Sequence, residues 1–96
     1  MDKVEIILDA DGIEDQLKNF KEKYQLELDF DSEASLDGVA VCSVIGTAVN
    51  VGMFLMQLYS LWGNKRVGIK TDDFEASEMT INKIIDYLNS KKSNTN

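Results

Sequence analysis

Between Gly38 and Asn64 the chain carries no charged residue: GVAVCSVIGTAVNVGMFLMQLYSLWGN. Acids stop at Asp37 and bases resume at Lys65 and Arg66. The run is about 27 residues long, and about 20 apolar residues suffice to span a bilayer as a helix. A stretch like this crosses a membrane, fills a core or meets a partner. The sequence on either side has to decide among the three.

That flanking sequence looks like one small domain. With 96 residues a core is possible but modest, and oligomerisation is a natural way to bury more surface. A single cysteine, Cys42, allows no internal disulfide, and its place in the apolar run suits a small buried hydrophobe. The expected compartment is cytoplasmic, and no basic segment leading into an early apolar stretch suggests a signal peptide. Histidine and proline are absent, which removes imidazole catalysis and most zinc sites. The net charge of −7 is uneven: residues 1–37 hold 12 acids and 4 bases, residues 65–96 hold 5 acids and 6 bases. This balance argues against nucleic acid as a partner, because phosphate contacts need Lys and Arg. It suits solubility or docking on a basic protein.

Val4, Ile6 and Leu8 alternate with Glu5, Ile7 and Asp9, the period of a strand. Asp11 and Glu14 have capping-box spacing. Ile13, Leu17, Phe20 and Tyr24 then form the apolar stripe of an amphipathic helix, with Lys18, Lys21 and Lys23 toward its C-terminal half. Leu26, Leu28 and Phe30 alternate with Glu27, Asp29 and Asp31 as a second strand. DSEASLDG is a loop. Arg66 to Thr71 is expected as a third strand, Asp72 to Ser77 as the turn after it, and Ile81, Ile84, Ile85 and Leu88 as the stripe of a last helix.

Within the uncharged run Ser43, Asn50, Gln57 and Asn64 recur at intervals of seven, a polar stripe if the run is helical. Ala48 and Gly52 permit close approach of another helix. The first third is rich in β-branched residues and contains Gly46, so it is either a strand or a helix that bends there. The expectation is a helix over about residues 39–62. The fold class is then α/β: a small single-layer sheet in β-α-β-α-β-α order with a long apolar central helix. Such alternation favours parallel strands with right-handed crossovers. The domain covers residues 1–90 and a disordered tail residues 91–96. Spanning a bilayer would strand two half-domains on opposite sides, each too small to fold. The helix is instead expected to pack on a protein partner, most simply a second copy of the chain, through Asn50, Met53, Phe54, Gln57 and Trp62. A plain core role for Met53, Phe54 and Trp62 stays open, as does a small single-span membrane protein.

Asp9 and Asp11 in IILDADG resemble the first motif of haloacid-dehalogenase-type phosphotransferases, which implies an Mg²⁺-dependent enzyme. On parallel strands Asp29, Asp31, Asp72 and Asp73 would collect along the same sheet edge. The family's Ser/Thr and Lys phosphate motifs have no match here. IKTDDFEASEMTINKIIDYLNSK is similar to the end of an acyl carrier protein at Thr80, Ile81, Tyr87 and Leu88, without the Asp-Ser-Leu attachment motif. Over more of the chain, the order of elements resembles the effector-associated constant component family of bacterial conflict systems. The matching residues are Ser43 to Gly46, Ala48, Gly52, Leu58, Trp62, Lys65-Arg66 and Val67. That family usually has a hairpin before its last helix, for which Lys70 to Ser77 leaves little room. The resemblance implies a non-catalytic component beside effectors or regulatory NTPases, with no catalytic residues, cofactor or metal to assign. An acidic immunity-type inhibitor of a basic toxin is a further alternative.

Overall fold

The computed structural model describes residues 3–31 and 41–93. The elements follow in the order β1 (Val4–Asp9), α1 (Glu14–Tyr24), β2 (Glu27–Asp31), β3 (Val41–Gly46), α2 (Ala48–Trp62), β4 (Arg66–Lys70), β5 (Glu75–Thr80) and α3 (Ile81–Ser93). The five strands pair in the order β2-β3-β1-β4-β5, and every pairing is antiparallel. The α/β class therefore holds. The β-α-β-α-β-α order and the parallel strands do not.

Burial on the strands alternates. Val4, Ile6 and Leu8 of β1, Cys42 and Val44 of β3, and Val67 and Ile69 of β4 are buried together with Leu17, Val51, Phe54, Leu55, Leu58, Ile81, Ile84 and Leu88 from the helices. One sheet face thus carries the helices and the other stays open to solvent, as antiparallel sheets allow.

The uncharged run divides in two. Residues 38–40 lie outside the described residues; from Val41 the run forms strand β3, which lies between β2 and β1. Thr47 then starts α2, its side-chain oxygen accepting from the Asn50 N–H at 3.2 Å, a standard N-cap bond. Gly63, with φ +86°, ends the helix and donates to the Tyr59 carbonyl at 2.8 Å. The expected helix over 39–62 is corrected to a strand followed by a helix of 15 residues. Among the described residues no helix is long and apolar enough to cross a membrane.

The turn expected over Asp72 to Ser77 and the helix start behind it are also corrected. Thr71 to Phe74 form a tight turn, closed by the Thr71 N–H on the Phe74 carbonyl at 2.7 Å. Glu75–Thr80 then return as β5. A bulge lies in this hairpin: Val67 pairs with Met79 and Ile69 with Ala76. Gly68 on β4 thus faces two residues, Ser77 and Glu78, on β5.

Helix α1 begins at Glu14, later than the capping box implied. The Asp11 side chain does not cap it. Instead Asp9 Oδ1 accepts from the Asp11 N–H at 3.0 Å, and Glu14 Oε1 from the Gly12 N–H at 3.1 Å. Gly12 adopts φ +84°, a conformation glycine takes without steric cost. The stripe itself stands, with Ile13 and Leu17 buried and Phe20 and Tyr24 against the core. Helix α3 runs to Ser93, into the stretch expected as a tail. Residues 94–96, and the loop expected over DSEASLDG beyond Asp31, lie outside the described residues.

Candidate interaction surface

Helix α2 has two different faces and no charged side chain on either. Val51, Phe54, Leu55 and Leu58 recur at three, one and three residues and are fully buried. Phe54 meets the Phe20 ring edge-on, centroids 5.7 Å apart. Val49, Met53 and Met56 recur at four and three residues on the opposite side, and are 47%, 42% and 57% exposed. Tyr59 and Leu61 are also exposed, on either flank of this line, which Ser60 continues toward the helix end. Gly52 lies within the stripe, and a Cβ built on it would meet nothing within 4 Å. A shallow notch in the apolar surface results, where another backbone can approach.

The expected contact residues separate on this geometry. Met53 and Gln57 are exposed and Asn50 is half-buried. Phe54 is corrected: it belongs to the core. Trp62 is half-buried against that core, with the Lys65 ammonium 4.8 Å from its ring centroid, within cation–π range. Sequence reasoning missed Val49, Met56, Tyr59 and Leu61. The signal was present as a second apolar stripe starting at Val49, hidden because the true helix start at Thr47 was not recognised.

The seven-residue polar stripe does not survive as one feature. Ser43 sits on β3, opposite Ile7 and Asp29. Asn64 lies beyond α2, and its Oδ1 accepts from the Asn82 N–H at 2.9 Å. It therefore caps α3 from across the fold.

The open face of the sheet is mostly charged. One row across the five strands reads Glu27, Ile45, Glu5, Lys70 and Glu75. Arg66 and Glu78, both exposed, approach to 3.9 Å at the β4–β5 edge. The carboxylates do not gather at one edge as parallel strands would have required. Strand β4 runs opposite to β1, so Asp72 and Asp73 follow it at the far end from Asp9. Asp9 and Asp31 both flank Val41 but from opposite sides of β3, about two strand spacings or ~10 Å apart. No cluster of three potential metal ligands occurs among the described residues. Cys42 is buried, and burial pushes its thiol above the ordinary range, with the nearby Asp29 charge adding to the rise and a backbone hydrogen bond from Asp29 opposing it. Raised thiol values disfavour the reactive thiolate.

No family model matches the chain, and no curated protein or solved structure matches it either.

Proposed function

We propose that this chain is a non-enzymatic protein-interaction component, an adaptor or regulator of a bacterial conflict or signalling system, that associates with a second copy of itself through the outward face of α2. One observation carries the reading: Val49, Met53 and Met56 form an exposed apolar stripe on a helix without charge, in a chain of net charge −7. Exposed apolar patches on small proteins mark contact sites. In a two-fold dimer each residue meets the same surface of its partner. An acidic chain therefore self-associates best where it carries no charge. The open sheet face, with Glu5, Glu27 and Glu75, would set like against like.

The β4–β5 hairpin adds support for the bacterial setting. It precedes the last helix, in the place where the effector-associated constant component family has one, although the turn Thr71–Phe74 lacks glycine. The enzyme alternative rests on Asp9 and Asp11, which stay together at the end of β1, whereas Asp72 and Asp73 lie at the other end of the sheet.

Sedimentation equilibrium of the full chain without detergent tests the proposal. The expected result is a concentration-dependent dimer that Met53→Lys dissociates and Glu27→Lys leaves intact. A monomer at all concentrations would sink it.

A further inference from the structure

The sheet has two edges, and they are built differently. At one edge, the β5 bulge between Ala76 and Met79 breaks the ladder, a recognised way to blunt an edge against further pairing. At the other, β2 pairs with β3 in unbroken register from Glu27↔Ile45 to Asp31↔Val41. No strand covers the outer side of β2 among the described residues. Every second residue of an edge strand turns its N–H and C=O outward, where another strand can add. The side chains of β2 set the terms of that addition. Glu27 and Asp29 are exposed on the open face, and neither forms an ion pair among the described residues. Leu28 and Phe30 lie on the helix side, where Phe30 pairs with buried Cys42 yet is 40% exposed.

We infer that the β2 edge is a strand-addition site for an extended segment of another protein in which basic and apolar residues alternate. The basic side chains lie beside Glu27 and Asp29 on the open face. The apolar ones lie beside Phe30 on the helix side. The backbone completes the ladder. Opposite charges directly across a strand pair stabilise it and like charges oppose it. The same carboxylates thus exclude a second copy of this acidic strand while admitting a cationic one. This surface is separate from the outward face of α2 and does not depend on self-association there.

The test uses the full-length chain and a short capped peptide alternating lysine and valine. Its controls are a peptide of the same composition with lysines and valines in separate blocks, and one with alternate backbone amides N-methylated. Backbone amide shifts are followed by NMR. The expected result is saturable binding of the alternating peptide, with the largest shifts over Glu27–Asp31. Binding should be about tenfold weaker for Glu27→Lys with Asp29→Lys, which lose two attractive pairs and gain two repulsive ones. Both control peptides should bind much more weakly. Equal binding of the block peptide would reduce the site to unspecific charge and overturn the inference. So would shifts centred on α2, full binding of the N-methylated peptide, or no binding. The exposed double substitution should leave the thermal transition in place, which separates loss of the site from loss of the fold.

Discussion

Met56→Glu discriminates between an α2 face that merely tolerates exposure and one that is covered in a dimer. Met56 lies mid-helix and is 57% exposed in the single chain. Fully burying a methionine side chain stabilises by about 1.5–3 kcal/mol. Covering the exposed fraction therefore contributes about 1–1.5 kcal/mol per copy. A two-fold interface contains the residue twice, so the substitution removes about 2–3 kcal/mol before any repulsion between the new carboxylates. At 1.4 kcal/mol per decade, the dimer dissociation constant rises roughly thirty- to a hundredfold. The fold should be nearly unaffected, because exposed substitutions away from special contacts stay within about 0.5 kcal/mol. The assay is sedimentation equilibrium at several loading concentrations, paired with a thermal melt by circular dichroism at a concentration where both proteins are monomeric. A mass-versus-concentration curve identical to that of the unsubstituted chain would refute the argument. A melt shifted downward by many degrees at that concentration would also refute it, by showing that Met56 contributes to the monomer core.

Phe54→Ala should behave in the opposite way. It removes a fully buried ring and should destabilise by about 3–5 kcal/mol, read as a lowered denaturant midpoint in the monomer. Asn64→Ala deletes the side chain that caps α3 and should cost about 1 kcal/mol, a drop of about 4–8 °C in melting temperature for a domain this size. Cys42, held protonated by burial, should react with a thiol reagent only as fast as the fold opens, and quickly in denaturant. Its raised value also links stability to pH. Native and unfolded thiols are both protonated below the unfolded value, so the contribution is intact there. Above about pH 8.5 the unfolded thiol ionises first, and stability falls as the pH rises toward the folded value. Denaturant titrations of the chain and of Cys42→Val across that window should differ in slope.

Elements with one wet face were legible in the sequence. In β1 and α1 the buried residues repeat at two and at three to four positions, and the structure keeps both stripes. β3 was only half legible, as one of two alternatives, because neither of its faces carries a charge, unlike β1, which is also an inner strand but has Glu5 and Asp9 on its open face. Cys42 and Val44 face the helices, while Val41, Ser43 and Ile45 face outward yet are half-buried by neighbouring strands. With neither side charged, alternation disappears and the strand reads as the beginning of the following helix. Gly46 and the β-branched residues before it kept a strand open as an alternative, and Thr47 marks the boundary as N-cap of α2. β5 failed for a sharper reason. Its bulge moves the core-facing positions from a spacing of two to a spacing of three, Ala76 to Met79. The period-two signal of a strand is therefore lost, and the segment reads as a turn over Asp72 to Ser77 leading into α3.

Missing β3 also displaced the contact surface. With a helix assumed from residue 39, Ser43, Asn50, Gln57 and Asn64 define a polar stripe, and Phe54 counts as a contact residue beside it. Starting the helix at Thr47 takes Ser43 into the sheet and gives Asn64 to α3. The outward direction on α2 is then Val49, Met53 and Met56 instead. The uncharged run therefore serves two ends that the sequence presents as one. Its strand buries Cys42 and Val44 against the helices and turns the half-buried Val41, Ser43 and Ile45 to the open face. Its helix is apolar toward the core, where Val51, Phe54, Leu55 and Leu58 are buried, but nothing among the described residues accounts for the apolar stripe on the outside. A polar stripe there would have cost the monomer little in packing, since these side chains are about half exposed and lie outside the buried core. The absence of even one Lys or Glu from this face is the pattern that the proposed self-association would use and that packing of the single chain does not call for.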